Sequence, residues 1–260
     1  MTHSQLFELL ESKVAQFNQP SFIENDPISV PHRFTRQQDI EIAAFLSAIL
    51  AWGSRKAIIK SANHFIQCMD NDPYNFVCHC EDTDLKPFTN FKHRTFNPTD
   101  ALYFITFFKH YYLHHDTLEA AFAQHLSAED EHVGNALTGF HQLFFDLPFA
   151  PQRTQKHIAT PLRNSACKRL NMFLRWMVRT NDAGVDFGLW KHIQPAQLLC
   201  PLDVHVDRIA RNLGLLNRKQ TDWKATLELT QHLRLFDPND PVKYDFALFG
   251  MGVLGKNEVW

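Results

Sequence analysis

Ser165-Ala166-Cys167-Lys168-Arg169-Leu170-Asn171-Met172-Phe173-Leu174-Arg175-Trp176-Met177-Val178-Arg179 reads as a single helix with two unlike faces. At about 100° per residue, Ala166, Cys167, Leu170, Phe173, Leu174, Met177 and Val178 share one broad apolar face. Lys168, Met172, Arg175 and Arg179 form a narrow stripe on the other side, flanked by Arg169 and Trp176. Ser165 is a fair N-cap for a helix over Ala166 to Arg179. A solvated basic face is one account of the stripe. Like charges at this spacing, however, repel by roughly 0.2–0.5 kcal/mol per pair, and no acid is interleaved to relieve them. Between Leu147 and Asn181 there is no Asp or Glu at all, while Arg153, Lys156, Arg163, Lys168, Arg169, Arg175 and Arg179 all fall there. In a chain of net charge −2, that is a local anion-binding stripe, and a phosphate backbone is the anion that suits it.

Outward from this helix, helix starts recur and strand signals do not. Thr35 to Gln38 reads as a capping box opening a helix Arg36 to Trp52, which stops at Gly53. Asp72 before Pro73 and Asn97 before Pro98 place proline at the first helical position. Asp116 to Glu119 caps Ala120 to Leu126, and Ser127 opens a helix to about Phe145. Thr221 caps Asp222 to Leu235. Asp240-Pro241 opens a last helix to about Phe249, which Gly250, Gly252 and Gly255 then break. No sustained period-2 alternation occurs, so the expected class is all-α. Asp146 to Pro161, with three prolines and no periodicity, is the natural connection between two helical lobes.

The composition suits an ordered globular protein, with 45% hydrophobic and 21% charged residues. The 23 phenylalanines promise aromatic cores. The longest apolar run, about Ala43 to Trp52, is short of the ~20 residues a bilayer demands, and Met1 to Phe17 lacks the layout of a secretory signal. Cys68, Cys78, Cys80, Cys167 and Cys200 are odd in number and irregularly spaced, as expected of reduced thiols in a cytoplasm. Cys78-His79-Cys80, with His64 and Cys68 upstream, lacks the ligand pairs of a structural zinc site, so no metal is expected.

Pro201-Leu202-Asp203-Val204-His205-Val206-Asp207-Arg208 opens another helix, with Val206, Ile209, Ala210 and Leu213 at helical spacing and Gly214 ending it. Asp203 is its natural N-cap, worth about 1 kcal/mol without any chemistry. The functional alternative is a carboxylate held ionised at a cleft by the helix dipole.

Here the chain resembles a known superfamily. Pro201 to Arg211 is similar to the Asp-bearing motif of the helix-hairpin-helix DNA glycosylases. Cys167 to Met172 resembles the lysine helix of their archaeal 8-oxoguanine branch, where a lysine also precedes the aspartate by a long interval. The whole chain looks more like an uncharacterised bacterial family related to that superfamily, through Ser165 to Arg169, Leu174 to Arg179 and Asp240 to Gly250. The resemblance implies two interleaved helical lobes flanking a cleft, within one unit spanning residues 1–260. It carries over Lys168 and Asp203 as the catalytic pair. Arg55, Lys56, Arg163, Arg169, Arg175 and Arg179, with His205 and Arg208 near the acid, become the DNA contacts. Trp52 and Phe246 line the base pocket, Phe246 also having an ordinary core reading. The superfamily's Gly-rich hairpin is replaced by Arg163-Asn164-Ser165 and its Gln-rich turn by Ala51-Trp52-Gly53-Ser54. The four-cysteine loop is missing, so no cofactor and no iron–sulfur cluster are expected.

The function so implied is DNA base excision with abasic-site lyase activity on damaged duplex DNA. A damaged base would be flipped out of the stack. Lys168 would attack the sugar C1′ as the base departs, giving a Schiff base, and Asp203 would offset the positive charge developing on the sugar. A free lysine titrates near ~10.4, so burial and the neighbouring Arg169 and Arg175 are asked to make the amine neutral. Two alternatives stand beside this reading: a non-catalytic nucleic-acid-binding protein on the same fold, and an all-α protein-interaction module whose stripe meets an acidic partner.

Overall fold

The computed structural model describes residues 1–180 and 183–254. Among them the chain is all-helical, and the nearest approach to a strand is an isolated bridge between His93 and Phe96. The α-helices are α1 His3–Phe17, α2 Gln37–Ile49, α3 Arg55–Gln67, α4 Pro73–His79, α5 Pro98–Tyr112, α6 Ala120–Ala123, α7 Gly134–Phe144, α8 Lys168–Val178, α9 Val204–Asn212, α10 Trp223–Arg234 and α11 Tyr244–Leu254. No described helix is long and apolar enough to cross a membrane. The chain divides into two compact units. One comprises Met1–Phe22, Ala128–Asn135 and Thr160–Trp260; the other comprises Ile23–Ser127 and Ala136–Ala159.

The second unit is built around α2, whose residues Asp39 to Ile49 are all buried. A helix that is apolar almost all round belongs inside a core, and this one carries the aromatic centre. Phe45 packs against Phe104, Phe108, Phe140 and Phe144 with ring centroids 5.5–6.2 Å apart. Among the charged residues buried in this unit, one lies on α2 and is fully enclosed. Glu41, fully buried, accepts from Tyr112 Oη (2.8 Å), Thr117 Oγ1 (2.6 Å), the Leu118 amide (2.8 Å) and Gln37 Nε2 (3.0 Å). It thereby pins the segment before α6 to α2. Glu41→Gln turns one of these acceptors into a donor and should cost about 1–3 kcal/mol, read as a lower midpoint in chemical denaturation. An unchanged midpoint would show that the four bonds contribute nothing net.

In the first unit, α1 and α9 pack on α11. Leu10, Val206, Ile209, Ala210, Leu229, Tyr244, Ala247, Leu248 and Met251 form the core. Contrary to the sequence expectation, Gly250 and Gly252 do not break the last helix. An added Cβ at Gly250 would lie 2.2 Å from Phe17 Cδ2, and one at Gly252 would lie 2.8 Å from His205 Cβ and 3.0 Å from the His205 carbonyl oxygen. The two glycines are points of close approach, at a helix-propensity cost of about 1 kcal/mol each. Gly255 lies outside the described residues.

Helix ends differ from expectation where tertiary bonds outbid local caps. Asp203 and Asn97 cap as the sequence suggests, the latter in a full capping box with Asp100. The helix predicted from Ser127 begins only at Gly134. Neither Thr35 nor Asp116 makes the predicted box: α2 and α6 start without a side-chain cap. The Asp116 carbonyl instead accepts from Gln38 Nε2 (2.8 Å). Asp222 rather than Thr221 caps α10, through the Ala225 amide. The last helix opens with a 3-10 turn, Pro241–Lys243, before α11.

Candidate functional site

α8 starts abruptly. After the 3-10 turn Pro161–Arg163, Asn164 (φ 53°) and Cys167 (φ 49°) both adopt the left-handed region, and Lys168 is the first helical residue. The backbone therefore makes its reversals without glycine. Asparagine tolerates this conformation, whereas for cysteine it costs roughly 1–2 kcal/mol. The turn is braced from outside: the Asn164 carbonyl accepts from the Trp223 amide (3.2 Å), and its Nδ2 donates to Asp222 Oδ2 (3.0 Å). Ser165 is not the N-cap; its Oγ accepts from the Cys167 amide (3.2 Å). Lys168 is half-buried, with Nζ 3.7 Å from Met172 Sδ.

Asp203 caps α9, its Oδ1 accepting from the amides of His205 (2.8 Å) and Val206 (2.9 Å). Glycine at 252 lets α11 come down onto this same turn. His205 Nδ1 lies 3.2 Å from the Gly252 carbonyl oxygen, and Arg208 Nη2 donates to that oxygen at 2.6 Å. His205 and Arg208, expected to face DNA, thus tie α9 to the end of α11; Arg208 stays exposed and keeps further donors.

The first turn of α11 brings in a residue that sequence reasoning passed over. Asp245 is buried, and both predicted catalytic residues act on it. Burial pushes its carboxyl up to about 6 against the pull of the Arg175 guanidinium; the negative charge of Asp203 adds to the rise and the positive charge of Lys168 opposes it. Lys168 and Asp203, 35 positions apart in the chain, are therefore electrostatic neighbours of one buried carboxylate. The unit thus gathers an amine, a helix-capping carboxylate and a third, protonatable acid, the inventory of groups that nucleophilic attack with proton transfer calls on.

The rest of the predicted basic stripe is occupied otherwise. Arg175 and Arg179 are each only 3% exposed. Arg175 Nε donates to Asp186 Oδ1 (3.2 Å) and Nη1 to Asp245 Oδ2. Arg179 donates through Nε to both oxygens of Asp240 (3.0 and 2.8 Å) and through Nη1 to Asp186 Oδ2 (3.0 Å). Two buried arginines are held by buried Asp186 and Asp245 and half-buried Asp240, so neither guanidinium is available to phosphate. The reason is geometric: α8 is buried all round from Leu170 to Val178 and has no solvated face. Phe246 is corrected with them. Fully buried, it lies under both guanidiniums, 4.3 Å from Arg175 Cζ and 5.4 Å from Arg179 Cζ, as a cation–π plate instead of a pocket wall. Arg169 is half-buried, and burial pushes its guanidinium down to about 10, still charged at neutral pH. Arg163 is exposed on the turn before α8.

In the other unit, Trp52 is half-buried between two imidazoles, stacked on His93 (centroids 6.3 Å apart) and edge-on to His157 (5.4 Å). Arg55 and Lys56 open α3 behind the Ser54 cap and line an open recess with Asn25 and Ile59. Arg153, the first cation of the acid-free stretch, is paired with buried Asp100, which also accepts from Thr154 Oγ1 (2.7 Å) and lies 3.2 Å from His157 Nε2. Among the described residues no group of three or more His, Cys, Asp or Glu side chains is placed to hold a metal ion.

Residues 26–254 match a family described as a protein of unknown function (DUF2400). The chain belongs to that family. The match takes in α8, α9 and α11, so Lys168, Asp203 and Asp245 all lie within the family's own region. No curated protein and no solved structure matches this family member.

Proposed function

We propose that this DUF2400 protein is a DNA base-excision enzyme, a glycosylase with abasic-site lyase activity on damaged duplex DNA. The single observation that supports the reading is that the charges of Lys168 and Asp203 both bear on one buried carboxylate, Asp245, in one helical unit. The glycosylase-like arrangement of two lobes about a cleft, with Trp52 at the base pocket, belongs to this proposal. Lys168 Nζ attacks the deoxyribose C1′ as the bond to the damaged base breaks. The base leaves with the bonding electrons; the attacking nitrogen then loses its protons as the C1′–O4′ bond breaks and O4′ takes one up, and the Schiff base so formed goes on by β-elimination of the 3′ phosphate to strand cleavage. Asp203, fixed by two backbone amides, stabilises the positive charge that develops on the sugar.

The test is borohydride trapping with the full chain across duplexes carrying 8-oxoguanine, uracil, an oxidised pyrimidine or an abasic site. The wild type should give a covalent protein–DNA adduct with at least one of them. Lys168→Gln should abolish it, and Asp203→Asn should slow it by about 10²–10³-fold, the loss typical of removing one preorganised electrostatic group. A panel with no adduct from the wild type, or an undiminished one from Lys168→Gln, overturns the assignment.

A further inference from the structure

Another group of exposed cations lies in the second unit, away from the stretch that the sequence marks. From Ile42 to Met69 the chain carries no acid, and from Leu85 to Thr99 none again. The fold puts these two stretches together. His93 and Phe96 bond to each other through both backbone pairs (2.9 Å each), leaving Arg94 and Thr95 as a two-residue turn with Arg94 in the left-handed region (φ 54°). That turn is pinned to α3: His93 Nδ1 lies 2.8 Å from Ser61 Oγ, His93 Nε2 lies 3.3 Å from the Trp52 carbonyl oxygen, and Phe91 stacks on His64. Arg94 lies against Gly53, where an added Cβ would meet its Nη1 at 2.9 Å. Lys56, Lys60, Lys92 and Arg94 are all exposed. Among the described residues none of the four is within ion-pair distance of a carboxylate, in contrast to Arg175, Arg179, Arg211, Arg218 and Lys243 of the other unit.

We infer that the first two turns of α3 and the 93–96 turn form a docking surface for the phosphate backbone of DNA, with Lys56, Lys60, Lys92 and Arg94 as its contacts. Lys56 and Lys60 stand one helical turn apart, about 6 Å along the axis, a regular run of cations of the kind that follows a strand. The N-terminus of α3 adds its own positive end. α3 itself, Arg55–Gln67, carries no acid to offset these charges. No exposed large hydrophobic residue lies in residues 53–67 or 91–97, so neither a membrane anchor nor an apolar protein hot spot fits as well. The choice of DNA as the polyanion rests on the proposed function; the surface itself does not involve Lys168.

The experiment is fluorescence anisotropy of a labelled DNA duplex with the full chain over a salt series. Lys60→Gln with Arg94→Gln should weaken binding at least tenfold and lower the slope of log affinity against log salt by about two units, one for each phosphate no longer neutralised. Neutralising an exposed lysine elsewhere, Lys224→Gln, should change neither. All three side chains are exposed, and thermal unfolding followed by circular dichroism should be unaltered. The inference is overturned if the double variant binds like the wild type, if Lys224→Gln has the same effect, or if the wild type binds RNA or anionic vesicles in preference to the duplex. Loss of trapping with Lys60- and Arg94-dependent binding intact sinks the excision reading alone. Trapping that survives with binding indifferent to Lys60 and Arg94 sinks this surface alone.

Discussion

Arg175→Met should lower the unfolding free energy by about 3–5 kcal/mol at pH 8, the usual result of removing one partner from a buried ion pair. Methionine keeps most of the aliphatic volume, so the loss reports the guanidinium and not a cavity. Without it Asp245 has no cation in contact, Asp186 retains only Arg179, and Phe246 loses its closer cation–π partner. The loss should shrink at pH 5, because a buried carboxylate without a partner takes up a proton instead of remaining charged. Arg175→Lys should fall between, since a single ammonium cannot fork to two carboxylates as a guanidinium does. Urea denaturation of the three proteins at both pH values is the measurement. A variant within about 0.5 kcal/mol of wild type, the range of an ordinary surface substitution, would mean that Arg175 belongs to a solvated stripe after all.

The pH dependence of stability should carry the signature of Asp245. Its folded carboxyl is raised to about 6 from an ordinary 3.8, mainly by burial. Between those values the folded chain binds more protons than the unfolded chain. The stabilisation from this group is therefore complete below about pH 4 and is lost as pH rises through 6. Carboxylates such as Asp100 and Asp222, held well below their usual range, act in the opposite sense and lose their contribution as pH falls. They are present in both wild type and Asp245→Asn, so they cancel in the difference between the two. That difference, wild type minus Asp245→Asn, should fall by on the order of 2–3 kcal/mol from pH 4 to pH 7, the worth of about two pKa units. A difference that grows with pH would identify Asp245 as a carboxylate ionised throughout by Arg175.

Local signals were legible where local physics decides. Asp203 and Asn97 cap their helices because the acceptor and the free amides are two or three residues apart. The absence of alternation was enough to dismiss a sheet. Charge compensation is a different matter. The acid-free window ends at Asn181, yet Arg175 and Arg179 are neutralised by Asp186, Asp240 and Asp245, which stand 7 to 70 positions away. A helical wheel cannot show partners that arrive from elsewhere in the chain, so a buried network read as an anion-binding stripe.

The chain's own pattern determined an all-α protein, the aspartate that opens α9, and a lysine on the helix of an apolar core. Tertiary structure alone decided which cations meet solvent and which meet carboxylates, and it brought buried Asp245 against Arg175 and under the charges of Lys168 and Asp203. It also turned Gly250 and Gly252 from helix stops into helix contacts. The physical reason is common to all three. Capping and periodicity act over one or two turns of chain, whereas desolvation and ion pairing depend on whatever the fold lays alongside, at any separation in sequence.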